Sequence, residues 1–194
     1  GARHLTTSPP APDRPCARGP CGGDVAGRKV RAMSENEHVP DGPGVRALAA
    51  SGLAHTLTRH GRVNSLAEAA AARGVAPQDL IKTLVVRRGK GDYLFVLVPG
   101  LRAISWPKLR ELLDVNRLSM PDAGVARDVT GYERGAITPF GSLQELPVIA
   151  DATLPGRTVS IGAGDHGLAA TVDADELIAH LRARVADISD PENP

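Results

Sequence analysis

Apolar positions in this chain fall into short runs broken by glycine, proline and charge, and the spacing changes character several times. Val45-Arg46-Ala47-Leu48-Ala49-Ala50 has helical spacing, with Gly52 placed to end the helix. His55 to Arg59 alternates like a strand. Ser65-Leu66-Ala67-Glu68 is a capping box, and the alanine-rich run after it reads as a helix from there to Arg73, stopped by Gly74. Ile81–Val86 and Tyr93–Val98 are strand patterns joined by Arg88-Gly89-Lys90-Gly91-Asp92, a hairpin turn. The second of these is apolar on both faces, which predicts a central strand.

Further along, Ser105-Trp106-Pro107 opens a helix with Leu109, Leu112 and Leu113 on one face. Arg117–Met120 reads as a brief strand, and Asp122 as the cap of a short helix ending near Gly131. Strands are expected at Val148–Asp151, Thr158–Ile161 and Leu168–Val172. A last helix begins at Asp173 and carries Leu177, Ile178, Leu181 and Val185 as its buried stripe. Helices and strands mix without strict alternation, so the expected fold class is α+β: one curved, barrel-like mixed sheet surrounded by short helices.

Composition divides the chain. Residues 1–43 hold Ser8-Pro9-Pro10-Ala11-Pro12 and Cys21-Gly22-Gly23 with no apolar period, and such a segment is expected to stay disordered. Met33-Ser34-Glu35-Asn36 resembles a natural start, which would make residues 1–32 an upstream extension. Residues 44–190 then form the folded domain. Cys16 and Cys21 lie in the arm, too few for a structural zinc site and without nearby histidine. No run approaches the ~20 apolar residues of a membrane span. The start lacks a signal-peptide pattern, so a cytoplasmic protein is expected.

Six basic and two acidic residues fall in 1–32, whereas 17 of each sign follow Gly44. A neutral body argues against a protein that grips long stretches of nucleic-acid backbone such as DNA, and leaves room for one that reads an RNA end. Arg87, Arg88, Lys90, Arg102, Lys108 and Arg110 form the main basic neighbourhood, with Asp92, Glu111 and Asp114 among them.

Two stretches carry candidate chemistry. Lys82 sits inside an apolar strand pattern, on the same face as Leu84 and Val86. Its ammonium either snorkels to water or finds a partner. Gly131-Tyr132-Glu133-Arg134-Gly135-Ala136-Ile137-Thr138-Pro139-Phe140-Gly141 packs three glycines and a proline into eleven residues, a loop built to hold its backbone in one shape. His60 and His166 stand in glycine-flanked loops, either as surface residues or as acid–base groups. Asp151 ends an apolar strand. No serine lies in a GxSxG elbow.

Lys82, the Gly135–Pro139 loop, Leu146–Asp151 and Ser160-Ile161-Gly162-Ala163-Gly164, in that order, resemble the YbaK/EbsC-like aminoacyl-tRNA deacylase family, related to the insertion domain of bacterial prolyl-tRNA synthetase. The resemblance runs from about Val45 to about Ile188. It implies a trans-editing enzyme that hydrolyses the ester of mischarged tRNA, most often tRNA-Pro, without metal, cofactor or covalent intermediate. Its partners would be the 3′ aminoacyl end of that tRNA and prolyl-tRNA synthetase.

By the same resemblance, Lys82 holds the terminal adenosine or its phosphate, and Gly135 and Ala136 belong to a loop whose amides meet the ester. Such N–H donors suit the oxyanion of acyl-ester hydrolysis. Ala136, Ile137 and Thr138 would set pocket volume beside Pro139. Asp151 would recognise the substrate amino group, and Gly162 and Gly164 would leave room for it. The segment Leu57–Arg62 lacks the aromatic residue of cysteine-editing members, which leaves alanine, serine and threonine open beside cysteine. The rival reading is a module that binds an aminoacyl end or an amino-acid-like ligand without turnover.

Overall fold

The computed structural model describes residues 40–192, so the expectations for Cys16, Cys21, Met33 and most of the N-terminal arm lie outside the described residues. The first helix, α1 (Pro43–Ala50), starts on a proline whose fixed φ suits the first turn, and it buries Val45 and Leu48. Strand β1 (His55–Arg59) leads to α2 (Leu66–Arg73). There the Ser65 hydroxyl accepts from the Glu68 N–H, the Glu68 carboxylate accepts from the Asn64 N–H, and Gly74 closes the helix at φ 69°.

A turn of 3-10 helix at Pro77–Asp79 precedes β2 (Ile81–Gly89) and β3 (Asp92–Pro99), an antiparallel hairpin. Then come β4 (Arg102–Ile104), α3 (Trp106–Leu113) and α4 (Ala123–Thr130), the last capped by the Asp122 carboxylate. Strands β5 (Val148–Asp151), β6 (Thr158–Gly162) and β7 (Leu168–Asp173) lead into α5 (Ala174–His180). Two short strands close the fold, β8 (Arg184–Ala186) and β9 (Ser189–Pro191).

The α+β class is observed, but the described strands hydrogen-bond as three sheets, with no closed barrel among them. The largest is mixed, in the order β2-β3-β5-β8. The second is antiparallel, β1-β7-β6, and β4 pairs with β9 in the third. Among the described residues one parallel bridge, Leu80 with Ser160, joins the two larger sheets, which also share an apolar cluster. Strand β3 is central, as its sequence predicts. Phe95 and Leu97 point into one apolar cluster with Ile81, Val85 and Ile161, while Leu94, Val96 and Val98 enter another with Leu109 and Ile188.

Two local expectations change. Arg117–Met120 is not a strand but a single antiparallel bridge, in which Arg87 and Ser119 exchange both backbone hydrogen bonds. The last helix stops at His180, and Arg182 turns the chain at φ 50° so that β8 can join β5 in parallel. Val185 therefore sits on β8, 41% exposed, rather than on a helical stripe.

Candidate functional site

A cavity of about 330 Å³ follows the open edge of β2, between it and the end of β6. Residues Leu80 to Val85 form one wall. Gly135 and Ile137 of the glycine-rich loop, with Gly162 at the end of β6, form the other. Met120, Pro121, Ala123 and Ala126 from the start of α4, and Arg73 and Arg134, complete the lining. Bridges pin β2 at both ends of this window, to Ser160 at Leu80 and to Ser119 at Arg87.

Lys82, Gly135, Ile137 and Gly162 thus meet around one space, although they come from three separate elements. The Lys82 side chain is about three-quarters buried, and its Nζ lies 2.8 Å from Glu192 Oε1, just beyond β9. Gly162 is needed for contact rather than for an unusual φ: a Cβ there would stand 3.3 Å from the Ile137 carbonyl oxygen. Gly135 does adopt a positive φ, 96°, and a Cβ on it would meet the His166 ring at 3.4 Å. Thr83 lines the cavity with its hydroxyl buried and unpartnered among the described residues, so a ligand group there would complete a missing hydrogen bond.

Other expected residues serve the loop. The Ala136 amide donates to the Glu133 carbonyl at 2.9 Å, which removes it from the set that could meet a ligand. The buried Thr138 hydroxyl accepts from the Phe140 N–H at 3.4 Å, and the Tyr132 hydroxyl donates to the Phe140 carbonyl at 2.7 Å. Pro139 is half-buried away from the cavity wall. Gly164, at φ 93°, lies against the Tyr132 ring, where a Cβ would come within 2.8 Å. Ala136, Thr138 and Gly164 therefore fix backbone shape and do not line the space.

Asp151 is placed elsewhere. It is fully buried; Oδ1 accepts from the Thr153 N–H and hydroxyl, and Oδ2 accepts from the Ser189 hydroxyl at 2.5 Å. Arg102 lies 3.9 Å away and donates to Ser189. Burial by itself would raise the Asp151 carboxyl, but the bonds from Ser189 and Thr153 and the Arg102 charge hold it below the usual carboxylate range. Oδ1 is spent on the turn at Thr153 and Oδ2 on Ser189 of β9, and Asp151 does not line the cavity.

His60 and His166 line a second cavity, about 450 Å³, which shares Arg73 and Gly135 with the first. Arg73 Nε donates to His60 Nε2 at 3.2 Å, so the His60 proton sits on Nδ1 and faces the Gly61 carbonyl at 2.8 Å. His166 Nε2 lies 3.3 Å from Glu133 Oε2. Arg73 is the residue the sequence reading overlooked. It reads as the last residue of a helix, and only the fold brings it to a neck between two cavities.

The basic neighbourhood also resolves into parts. Arg87, Arg88 and Lys90 form a groove with Tyr93 and Arg117, in which Arg88 is paired with Asp92. Arg102 and Lys108 face Asp151, Asp187 and Asp190 instead, and Arg110 lies outside the groove. No helix among the described residues is long and apolar enough to cross a membrane.

Residues 60–179 match the family described as the aminoacyl-tRNA editing domain, a span of more than half the chain. A Proline–tRNA ligase of Bacillus licheniformis is 29% identical over 89 residues, 46% of this chain and 15% of the ligase. That of Syntrophotalea carbinolica is 32% identical over 129 residues, 63% of this chain and 22% of the ligase. The chain thus spans less than a quarter of the length of these curated relatives. A solved chain described as a candidate trans-editing enzyme for prolyl tRNA synthetase superposes with a TM-score of 0.69 at 26% identity, covering 78% of this chain and 99% of the other. Another, described as a hypothetical protein, gives 0.69 at 27%, covering 76% and 99%. The match over residues 60–179, joined to the agreement in fold, shows that this chain belongs to the aminoacyl-tRNA editing domain family.

Proposed function

We propose that residues 44–190 act as a cytoplasmic, metal-independent aminoacyl-tRNA deacylase, working in trans on tRNA-Pro mischarged with Cys, Ala, Ser or Thr. The observation that carries this reading is the convergence of Lys82, Gly135, Ile137 and Gly162 on one small cavity with no carboxylate in its lining. An RNA 3′ end is anionic, so a wall that carries Lys82 suits that ligand once it displaces Glu192 from the ammonium.

In this reading the terminal adenosine lies along β2 with Lys82 against it, and the aminoacyl group points at the glycine-rich loop. Water attacks the ester carbonyl, the new C–O bond forms, and the old ester bond breaks. The leaving 3′-oxygen takes the proton that the water gives up. The amides of Gly135 and Ile137, rather than the engaged amide of Ala136, stabilise the oxyanion. Ile137 limits the space, so a larger correct amino acid is excluded by the second-sieve logic of editing. The Arg87–Lys90–Arg117 groove takes acceptor-stem phosphates, which position the RNA without reading its sequence. Prolyl-tRNA synthetase is the natural source of the mischarged substrate, consistent with the ligases that share this domain.

The test is deacylation of tRNA-Pro charged separately with Cys, Ala, Ser, Thr and Pro. Release of one or more small amino acids, but not Pro, is expected, and Lys82→Ala should slow it about a hundredfold, the order seen when one preorganised electrostatic group is lost. Binding of charged tRNA without release from any of the five would instead make the chain a non-catalytic binding module.

A further inference from the structure

Arg73 does not have the usual surroundings of a half-buried arginine. A guanidinium carries five N–H donors. Only Nε is engaged, by the neutral His60 ring, and no carboxylate lies within ion-pair distance of Arg73 among the described residues. The remaining four N–H groups form the planar fork that matches a carboxylate or phosphate two bonds at a time. Burial already pushes the guanidinium below its ordinary value, so the charge is desolvated without compensation from the protein.

Position gives this charge a use. Arg73 and Gly135 are the two residues common to both cavities, so the guanidinium stands at the neck between them. Behind the neck the lining is His60, Arg62 and His166 with glycines and Val63, again without an acidic residue. His60 takes the Nε edge, and the Nη groups have no protein partner among the described residues.

We propose that Arg73 is an anion subsite, which receives an oxyanion-bearing group of a ligand whose uncharged part lies in the cavity along β2. This rests on the deacylase reading. In that setting the group is either the phosphodiester before the terminal adenosine or a carboxylate on the acyl side chain. The shared chemistry is a planar or tetrahedral oxyanion bonded by two guanidinium N–H groups.

The experiment measures binding of four non-hydrolysable probes to the full chain by calorimetry. The dinucleotide CpA is compared with its methylphosphonate, which has lost the backbone charge. Adenosine carrying a 3′-amide-linked aspartyl group is compared with the asparaginyl equivalent. Wild-type protein is expected to favour the charged member of one pair about tenfold, and that pair identifies the source of the anion. Arg73→Gln should abolish the preference while leaving the neutral member's affinity unchanged, and Arg73→Lys should restore only part of it. If both pairs bind wild-type protein equally, the subsite is refuted while the deacylase reading stands. If Arg73→Gln weakens charged and neutral probes alike, Arg73 is structural and the proposal fails. If none of the four binds, the deacylase reading falls and this inference with it. The wild-type comparison decides the matter even if a variant does not fold.

Discussion

At the residue scale, Gly162 controls how far the glycine-rich loop stands from the sheet. Gly162→Ala places a methyl 3.3 Å from the Ile137 carbonyl, so the loop must move by a few tenths of an ångström. A stability loss of about 1 kcal/mol is expected from such overpacking. Deacylation should fall about tenfold, since misplacing a reacting group by well under 1 Å already costs rate. Single-turnover rates and urea midpoints on one preparation check both, and an unchanged rate would detach Gly162 from the site. Glu192 is the second case. It occupies the Lys82 ammonium, and a ligand that uses that ammonium must displace it. The pair is partly exposed and worth at most about 1 kcal/mol, so Glu192→Gln should raise kcat/KM by no more than about fivefold. A decrease would show instead that Glu192 orients the lysine.

At the element scale, the buried knot of Asp151, Ser189, Thr153 and Arg102 holds β9 to the end of β5. Asp151→Asn loses the acceptor charge and leaves donors facing each other, at a cost of about 2–3 kcal/mol near neutral pH. Because the folded carboxyl lies below its unfolded value of about 3.9, its contribution is present above that value and fades as pH falls through the folded one. The gap in urea midpoints between wild type and variant should therefore hold from pH 7 down to about pH 4 and narrow below it; a gap that stays constant on further acidification would contradict the linkage. This knot also marks where the sequence stops being legible. The α2 capping box and the β2–β3 hairpin are local and were readable from neighbouring residues. Ser189-Asp190-Pro191 looks like a polar tail, and only backbone pairing with Arg102–Ile104, far earlier in the chain, makes it a strand. For the same reason Asp151 looked like a site acid: an aspartate ending a strand is written identically whether it faces a ligand or a buried serine.

At the scale of the whole molecule, the even charge count conceals a division of labour. Arg102 and Lys108 are consumed by acids near β9, whereas Arg87, Lys90 and Arg117 share one groove. Replacing Arg87 and Arg117 with alanine should weaken tRNA binding and lower its salt slope by about one unit per lost phosphate contact. Arg110→Ala should leave both unchanged, and equal effects from the two sets would mean that only net charge matters. The family's order of motifs was visible in the chain; which members meet was not, because the cavity exists only between β2 and the end of β6. That origin limits how the chain can change length. Seven positions separate the bridges at Leu80 and Arg87, roughly 23 Å of extended strand. One residue inserted between Lys82 and Arg87 would break a bridge or send alternate side chains to the wrong face. The same insertion at Lys90, in the hairpin turn, disturbs neither, so β2 should behave as a fixed-length ruler in a protein whose turns can grow.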